Sequence, residues 1–372
     1  MTIRIKLNGQ LLEVLSPVTI LKVCEANGIF IPSLCFLNNH EHFTSCLVCV
    51  VKIKGKDWLS PACGTIVEDG MEIETDSEEV RQARKTAIDL LLSEHNGDCL
   101  SPCQRACPQQ LNIPLIIRLI LKQEFKTAYK IINEASPDCL SSSKDCNLAC
   151  EKACRRKRYD QPLKISLLLK FLKDAQEKYL KAVPSMERNN LKAIQPEKKE
   201  GKRFDSVMRK LSEVELAEFM RFSSRENQVQ PFDKESGYNQ TEVFKEAQRC
   251  LYCDCQKQDN CQLRNYADIY LAKQITYKGD RPDFERIVTD SYTLERGKCI
   301  KCGICMKLSE KEGVKFGFTF LNRGFDLKIG VPLDKYNNEQ LRKVIDICIE
   351  KCPTGALSKT LKIDIPNQEN LR

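Results

Sequence analysis

The sequence predicts an α+β protein assembled from small domains that carry clustered cysteines. Residues 1–78 alternate in polarity as strands do, the middle of the chain has helical periodicity, and a separate cysteine-bearing domain follows. The predicted segments are a β-rich domain at 1–78, a helical cysteine-rich domain at 79–175, a charged linker with a docking helix at 176–240, a cysteine-rich helical segment at 241–290 and a small C-terminal domain at 291–372.

Cysteine dominates the composition, with 21 cysteines against three histidines in 372 residues. The cysteines are clustered, and residues 155–249 contain none, which favours shared metal centres over long-range disulfides. The longest apolar run, "IPLIIRLIL", is interrupted by Arg118 and is far shorter than the ~20 residues that span a bilayer. Because the N-terminus lacks the apolar core of a signal peptide, we expect a cytoplasmic protein without a membrane span.

The N-terminal pattern predicts a hairpin followed by a helix. "TIRIKLNGQLLEVL" reads as two strands that turn at Asn8-Gly9. "SPVTILKVCEANGI" reads as a short helix whose apolar face includes Cys24, which we interpret as a core thiol. Residues 79–94 have helical periodicity, Pro114 is placed to open a further helix, and "FDSVMRKLSEVELAEFMRF" at 204–222 is the predicted docking helix.

The first candidate site has the spacing C-x10-C-x2-C-x13-C. Four thiolates satisfy a [2Fe–2S] cluster, because each iron takes two of them. A zinc ion could use the same four ligands, but the preceding hairpin and helix fit a plant-type ferredoxin (β-grasp) fold. The predicted ligands are Cys35, Cys46, Cys49 and Cys63.

The stretch "SPACGTIVEDGMEIETDSEEVRQARKTAIDLLLSEHNGDC" resembles the N-terminal region of the large iron–sulfur subunit of complex I. It is similar also to the related subunits of NAD-linked hydrogenases and formate dehydrogenases. In that family a ferredoxin domain precedes a long helix and a His-x3-Cys motif, as here. The resemblance covers roughly residues 1–100.

The motif "HNGDCLSPCQRACP" places His95, Cys99, Cys103 and Cys107 at intervals of four. In one straight helix they would span about 18 Å, too far for a single cubane. After Cys99 the sequence departs from the complex I pattern. "CLSPCQRACPQQLNIP" and "CNLACEKACRRKRYDQPLKI" instead resemble the two-cluster helical domain of the glutamate synthase small subunit and of dihydropyrimidine dehydrogenase.

This second resemblance implies two [4Fe–4S] clusters. The first would use His95, Cys99, Cys103 and Cys154, and the second would use Cys107, Cys146 and Cys150. The family's fourth ligand of the second cluster is a carboxylate or amide side chain, whereas this chain has Leu169 near that place. Cys139 is the candidate substitute, or another ligand serves, or the second cluster does not assemble.

Two more candidate sites follow in the sequence. "RCLYCDCQKQDNC" supplies Cys250, Cys253, Cys255 and Cys261 for a [4Fe–4S] cluster or a structural zinc. "KCIKCGIC" supplies Cys299, Cys302 and Cys305, and the distant Cys-Pro at Cys352 closes a [4Fe–4S] site as in ferredoxins. The segment from "FLNRGFDLKIGVPLD" to "CPTGAL" again resembles the complex I subunit, and Cys348 is read as a spare cysteine on a helix face.

The formal charge of +8 can be explained by bound clusters, so it does not require nucleic acid as a partner. Each four-thiolate cluster carries about −2, so five clusters add on the order of −10. No RNA- or DNA-binding motif accompanies the basic residues, so nucleic acid is not an expected partner. The 16 glycines form neither G-x-G-x-x-G nor a Walker loop, so no flavin or NAD is expected in this chain.

These observations predict an iron–sulfur electron-transfer subunit of a soluble multi-subunit oxidoreductase, without catalytic residues of its own. It would hold one [2Fe–2S] and about four [4Fe–4S] clusters. The resemblances imply two partners, a subunit that binds flavin and NAD(P)H and a catalytic redox subunit of hydrogenase, formate dehydrogenase or bifurcating transhydrogenase type. The alternatives are a subunit that shares an interface flavin within an NAD(P)H-oxidoreductase active site, and a zinc-rich scaffold.

Overall fold

The computed structural model describes residues 2–40, 43–135, 147–182, 203–277, 281–336 and 338–360. The chain divides into two compact units. Unit 1 comprises the described residues of 2–97, 203–206 and 256–360, and unit 2 comprises those of 98–182 and 207–255. Helices and strands are both present, which confirms the mixed content expected from the sequence.

A five-stranded sheet forms the N-terminal part of unit 1. Its strands are β1 (Thr2–Leu7), β2 (Gln10–Leu15), β3 (Val50–Ile53), β4 (Leu59–Pro61) and β5 (Glu72–Glu74), in the order β2-β1-β5-β3-β4. Strand β1 pairs antiparallel with β2 and parallel with β5, while β3 is antiparallel to β4 and β5. The turn at Asn8-Gly9 joins β1 to β2 with φ of 48° and 88°, as a type I′ turn requires.

Helix α1 (Ile20–Ala26) contributes to the core of this sheet. Thr19 caps the helix by accepting a hydrogen bond from the backbone N–H of Lys22. The buried side chains of α1 share one apolar cluster with the inward-facing side chains of β1, β3 and β5. Cys24 lies fully buried in that cluster, where burial raises its pKa to about 11, as expected of a core thiol.

Helix α2 (Glu78–Glu94) follows the sheet and belongs to unit 1. Ser77 caps it, and Glu78 and Glu79 place negative charge at the positive end of the helix dipole. On its buried face, Arg84 donates a hydrogen bond of 2.9 Å to the backbone oxygen of Val50 in β3. This contact ties the helix to the sheet of unit 1, although residue 79 was the predicted start of the helical cysteine-rich domain.

Unit 2 is built from short helices. They are α3 (Pro102–Ala106), α4 (Ile113–Leu121), α5 (Phe125–Ala135), α6 (Ala149–Lys152), α7 (Ile165–Ala182), α8 (Glu213–Met220) and α9 (Gln240–Ala247). Helix α4 packs on α5 and α9, α7 packs on α5 and α9, and α3 packs on α6. Helix α8 falls within the predicted docking helix and begins with a capping box between Ser212 and Glu215.

The C-terminal part of unit 1 combines helices with two small sheets. The helices are α10 (Gln262–Ile269), α11 (Ile304–Lys311) and α12 (Glu339–Lys351). Strands β6 (Arg286–Val288), β7 (Tyr292–Glu295) and β10 (Leu357–Lys359) form one sheet in the order β10-β7-β6, and β8 (Thr319–Leu321) pairs with β9 (Lys328–Gly330). Within the described ranges, no helix is both long and apolar enough to cross a membrane.

The predicted segment 241–290 is divided between the units at Cys255. Cys250, Cys253 and Cys255 group with unit 2, because α9 packs on α4 and α7. Cys261 groups with unit 1, because α10, which it precedes, shares a core with α2 and α12. The boundary therefore follows the two cores rather than the cysteine spacing.

Candidate metal centres

Four cysteines of the N-terminal domain come together in unit 1. Cys35 and Cys46 lie in the segment between α1 and β3, Cys49 directly precedes β3, and Cys63 follows β4. All four are buried. The thiol of Cys35 is hydrogen-bonded to those of Cys46 and Cys63, and the thiol of Cys49 to that of Cys63. The structure thus brings together the four residues predicted to hold a [2Fe–2S] cluster.

Hydrogen bonds within this group shift the pKa values of its thiols in opposite directions, because two of the thiols accept these bonds and two donate them. The bond with Cys46 lowers the pKa of Cys35 to about 2, and the bond with Cys63 lowers the pKa of Cys49. The bonds with Cys35 in turn raise the pKa of Cys46 and of Cys63. Within this group the hydrogen bonds therefore favour the thiolate, the form that binds metal, at Cys35 and Cys49 but not at Cys46 and Cys63.

A second group of cysteines lines a cavity in the C-terminal part of unit 1. Cys299, Cys302 and Cys305 come from the loop before α11 and its first turn, and Cys352 comes from the end of α12. Burial raises the pKa of Cys299 to about 12 and holds the pKa of Cys302 and of Cys305 well above the ordinary value. The remaining wall is largely apolar and includes Leu294, Ile300, Ile304, Ile329 and Leu357.

Cys348 lies one helical turn before Cys352 but is not among the residues that line this cavity. It is fully buried in α12, and its thiol donates a long hydrogen bond (3.8 Å) to the backbone oxygen of Cys305. Lys257 donates a hydrogen bond of 2.8 Å to the backbone oxygen of Cys352 and so holds the end of α12. Cys352 thus lines the cavity and Cys348 does not, while the choice of Cys352 as the fourth ligand and of Cys348 as a spare cysteine on a helix face stays a prediction.

The two cysteine groups of unit 1 meet at a narrow crevice. Cys35 and Cys302 both line it, together with Phe43, Gly303 and Lys307. Lys307 lies over the ring of Phe43, with 5.4 Å between the ammonium nitrogen and the ring centroid. Gly303 has a φ of 76°, and a Cβ atom added to it would come within 2.4 Å of the Phe43 ring. The donors of the first group are thus separated from those of the second by a closely packed contact.

A third group of cysteines lines a cavity in unit 2. Its four thiols are those of Cys103, Cys154, Cys250 and Cys253. Burial raises the pKa of Cys103, Cys154 and Cys250. Ser101 lies 3.2 Å from the sulfur of Cys103, at hydrogen-bonding distance. The rest of the wall includes Pro102, Ile113, Pro114, Ile117, Leu163 and Ile165.

This grouping differs from the sets predicted from the sequence. Cys103 and Cys154 were expected in one set and Cys250 and Cys253 in another. The difference arises because residues 207–255 pack back onto the helical domain, with α9 against α4 and α7. Because of that packing, Cys250 and Cys253 of the "RCLYC" stretch line the same cavity as Cys103 of α3 and Cys154 after α6.

Two fully buried arginines hold these chain segments together. Arg156 donates hydrogen bonds to both carboxylate oxygens of Asp160 (2.7 and 2.8 Å) and to the backbone oxygen of Arg249 (2.9 Å). Arg249 donates to Asp160 (3.1 Å) and to Glu246 (2.8 Å). The pair joins the turn after Cys154 to the residue before Cys250. Neither residue was singled out from the sequence, because Arg156 lies within the basic run "RRKR" and Arg249 is a single arginine beside a candidate cysteine ligand.

The predicted donors Cys107 and Cys150 are located at the helices α3 and α6, which pack against each other. Cys107 follows α3 and is half-buried, and Cys150 is buried within α6. Their predicted partners Cys139 and Cys146 lie outside the described residues. Leu169, which occupies the place of the family's fourth ligand, is 3% exposed in the apolar core.

Four further predicted donors do not line the cavities described above. In unit 2, the backbone N–H of Cys255 donates to the backbone oxygen of Cys99 over 3.2 Å, so these two residues are neighbours. In unit 1, Cys261 precedes α10 and lies buried near Pro353. His95, also in unit 1, has a buried Nδ1 without a hydrogen-bond partner among the described residues. Burial, with Lys298 and Arg281 nearby, lowers its pKa to about 3, so its imidazole is neutral, the form that binds metals.

The donor chemistry of these sites fits iron–sulfur clusters. Each of the two cavities presents four cysteine sulfurs within a largely apolar wall, and thiolates are the usual ligands of [4Fe–4S] clusters. None of the 19 described cysteines forms a disulfide. In the part of the chain that the structure describes, no three His, Cys, Asp or Glu side chains are placed to bind a single metal ion.

Comparison with known families supports the same class of protein. Residues 1–78 match the family described as a 2Fe-2S iron-sulfur cluster binding domain. Residues 74–180 match dihydropyrimidine dehydrogenase domain II, 4Fe-4S cluster. The chain is therefore an iron–sulfur protein with a 2Fe–2S domain and a 4Fe–4S domain.

The curated relatives described next each match between 26% and 37% of the chain. The NADP-reducing hydrogenase subunit HndD of Solidesulfovibrio fructosivorans is 41% identical over 101 residues, which cover 26% of this chain and 17% of that protein. A subunit of the NADH-quinone oxidoreductase of Rhizobium meliloti is 36% identical over 97 residues, covering 26% and 11%. The gamma subunit of the NAD-reducing hydrogenase HoxS of Cupriavidus necator is 28% identical over 138 residues, covering 37% and 58%.

A solved structure of an NAD+-reducing [NiFe]-hydrogenase in the H2-reduced state aligns with 96% of this chain and 87% of its own chain, at 13% identity and a TM-score of 0.48. The matched part of this chain spans less than two thirds of each of the three curated relatives. The resemblance to complex I and NAD-linked hydrogenase subunits that the sequence predicted is confirmed.

Proposed function

We propose that this chain is an electron-transfer subunit of a multi-subunit oxidoreductase. The observation that carries the proposal is the crevice lined by both Cys35 and Cys302. Cysteines of two groups that fit different clusters line the same crevice there, and single electrons pass between clusters that lie close together. A chain that only needed structural metals would gain nothing from this adjacency.

Three ligand sets follow from the placement of the thiols. The sheet domain, which we assign to the plant-type ferredoxin (β-grasp) class, would hold a [2Fe–2S] cluster on Cys35, Cys46, Cys49 and Cys63. The C-terminal domain, which we assign as a small ferredoxin-like domain, would hold a [4Fe–4S] cluster on Cys299, Cys302, Cys305 and Cys352. The cavity of unit 2 would hold another on Cys103, Cys154, Cys250 and Cys253.

The remaining donors keep the ligand roles predicted for them, without a settled grouping. Cys107 and Cys150 supply two ligands of a further [4Fe–4S] cluster in unit 2, with Cys146 and Cys139 as the candidates for the others. His95, Cys99, Cys255 and Cys261 are also retained as cluster ligands. The proposed total is one [2Fe–2S] and about four [4Fe–4S] clusters.

When bound, the clusters supply one-electron redox chemistry, and the protein controls it through its own side chains. Thiolates fix each cluster, and the apolar walls formed by residues such as Ile117 and Ile304 limit access of water. Buried cations and hydrogen-bond donors at the sulfurs set the potentials. The chain contributes no group that forms or breaks a substrate bond.

The proposed partners follow from the relatives rather than from a surface of this chain. Those relatives are subunits of NAD(P)-reducing hydrogenases and of NADH-quinone oxidoreductase. We therefore propose that one partner binds flavin and NAD(P)H and that another carries the catalytic redox centre, in a cytoplasmic complex. FAD or FMN retained by the chain purified alone would favour the interface-flavin alternative.

Spin coupling between the two clusters of unit 1 tests the relay directly. Reduced [2Fe–2S] and [4Fe–4S] clusters are both paramagnetic, so neighbouring reduced clusters broaden or split each other's EPR lines. In the full chain reduced with dithionite, we expect this broadening of the [2Fe–2S] signal. Cys302→Ala and Cys352→Ala should remove one [4Fe–4S] signal and sharpen the [2Fe–2S] lines.

Cys348→Ala is the matched control, because Cys348 is buried on the same helix but does not line the cavity. That variant should keep both signals and their broadening. An unbroadened wild-type [2Fe–2S] signal beside an intact [4Fe–4S] signal would contradict the relay. In the assembled complex, electron transfer that survived Cys302→Ala would show that this cluster is a side branch.

A further inference from the structure

Arg155 brings a buried guanidinium group to the cysteine cavity of unit 2. It lines the cavity together with Cys103, Cys154, Cys250 and Cys253. Its guanidinium donates a hydrogen bond to the sulfur of Cys253. Only 9% of the Arg155 side chain is exposed, so water screens this charge poorly.

Asp98 fixes the orientation of this guanidinium. Its carboxylate lies 2.5 Å from a terminal nitrogen of Arg155, and its side chain is fully buried. The other carboxylate oxygen of Asp98 accepts hydrogen bonds from Arg105 (3.3 Å) and from the backbone N–H of Met208 (3.2 Å). Because these contacts anchor Asp98, the carboxylate holds Arg155 in one position.

The ring of Phe219 supports the same guanidinium from another side. The distance from the guanidinium carbon of Arg155 to the ring centroid is 5.1 Å, within cation–π range. The sulfur of Met208 lies 3.8 Å from a terminal nitrogen of Arg155. The carboxylate of Asp98, the ring of Phe219 and the thioether of Met208 therefore surround the guanidinium of Arg155. One of its N–H donors faces the sulfur of Cys253.

We propose that Arg155 and Asp98 form a charge pair that sets the reduction potential of the cluster held by this cavity. This inference rests on the proposed ligand set Cys103, Cys154, Cys250 and Cys253. Reduction adds one negative charge to the cluster, and a fixed cation with an N–H donor at a ligand sulfur stabilises that charge. Asp98 opposes part of the effect, so the two residues shift the potential in opposite directions. Arg155 is thus a positioning and tuning residue rather than a ligand.

A comparison with Arg118, a second buried arginine nearby, indicates why Arg155 is the tuning residue. Arg118 is also buried, and Cys250 lies close enough to affect its pKa. However, its two terminal nitrogens each bind one carboxylate oxygen of Asp254, at 2.7 and 2.5 Å. Both arginines thus have a carboxylate partner, but Arg118 binds both oxygens of Asp254, whereas Arg155 contacts one oxygen of Asp98 and also hydrogen-bonds to the sulfur of Cys253.

The test is an EPR-monitored redox titration of the full chain and three variants. The relevant signal is first identified as the one that Cys103→Ala removes from the wild-type spectrum. Arg155→Met should lower the midpoint potential of that signal, and Arg155→Lys should lower it less, because the charge is kept. Asp98→Asn should raise it, because the opposing negative charge is lost. The other clusters should keep their potentials.

Arg158→Met is the matched control, since Arg158 lies in the same short helical turn (Arg155–Arg158), is exposed and does not line the cavity. It should leave every potential unchanged. If the Arg155→Met variant does not hold the cluster, the tuning role is tested by Asp98→Asn alone, in which the midpoint potential should rise.

Equal potentials in wild type, Arg155→Met and Asp98→Asn, or shifts of the same sign in both variants, would overturn the tuning role. Loss of the cluster from all three variants would also overturn it, since a purely structural role would explain that result. If Cys103→Ala removes no signal from the wild-type chain, the proposed ligand set fails instead.

Discussion

Gly303 occupies a position where a side chain is disfavoured. Its φ of 76° lies in the left-handed region, and an added Cβ atom would meet the Phe43 ring at 2.4 Å. It stands between two proposed ligands, immediately after Cys302 and two residues before Cys305. The requirement for glycine thus comes from the backbone and from the packing at the crevice together.

Gly303→Ala should disturb the crevice and the C-terminal cluster. The left-handed conformation alone costs a non-glycine residue about 1–2 kcal/mol, and displacement of Phe43 adds to that cost. We expect a lower thermal midpoint and reduced occupancy of the [4Fe–4S] site, measured by unfolding and EPR. Gly313→Ala is the control, because Gly313 also has a positive φ of 64° but has nothing within 4 Å of an added Cβ. Equal effects of the two substitutions would show that packing against Phe43 is unimportant.

Cys24 differs from the proposed ligands although it lies in the same domain. It belongs to the apolar core formed with β1 and β3 and is fully buried. Cys24→Ala should therefore cost stability, by about 1 kcal/mol as for a small buried group, and leave the [2Fe–2S] absorption spectrum unchanged. Cys49→Ala should abolish that spectrum. Loss of the spectrum in the Cys24 variant would refute its assignment as a core thiol.

At the scale of secondary-structure elements, the site of unit 2 depends on joining distant segments. Cys103 lies on α3, Cys154 follows α6, and Cys250 follows α9. The fully buried Arg156 and Arg249 connect the last two of these segments through Asp160 and backbone oxygens. The cavity therefore forms only when the segment 207–255 has packed onto the earlier helices.

Arg156→Met should destabilise unit 2 and empty its cavity. Removing Arg156 takes away the donor to the backbone oxygen of Arg249 and one of the two arginines bound to Asp160, and loss of a buried hydrogen-bond partner costs about 1–3 kcal/mol. We expect a lower unfolding midpoint and loss of the EPR signal that Cys103→Ala removes, while the [2Fe–2S] signal of unit 1 remains. The exposed Arg158→Met should change neither quantity. A full complement of iron and a wild-type unfolding midpoint in the Arg156 variant would show that the hydrogen bonds of Arg156 are not needed to form the site.

Short motifs allowed part of the site to be predicted from the sequence. Cys299, Cys302 and Cys305 follow one another in a single loop, so their spacing alone predicts a shared cavity. The grouping of Cys250 with Cys154 could not be predicted in this way. It depends on the packing of α9 against α4 and α7 and on Arg156, and neither leaves a signature in the cysteine spacing. Charged runs such as "RRKR" also hide the fact that individual arginines are buried.

At the scale of the whole chain, charge and donor composition favour a protein with several clusters. The formal charge of the sequence is +8, and one [2Fe–2S] with about four [4Fe–4S] clusters would add on the order of −10. Part of the positive charge is buried near the cysteine groups, in Arg155 and Arg156 of unit 2 and in Lys298 of unit 1. With the proposed clusters bound, the basic residues would offset most of the cluster charge.

Metal and sulfide analysis of the full chain, purified without oxygen, distinguishes an electron-transfer protein with iron–sulfur clusters from a zinc protein. One [2Fe–2S] and four [4Fe–4S] clusters correspond to about 18 iron atoms and about 18 acid-labile sulfides per chain. We expect iron and sulfide in equal amounts near that value, with zinc well below one equivalent and EPR signals that appear on reduction. Zinc in excess of iron, without acid-labile sulfide, would contradict the assignment of the chain as an electron-transfer subunit.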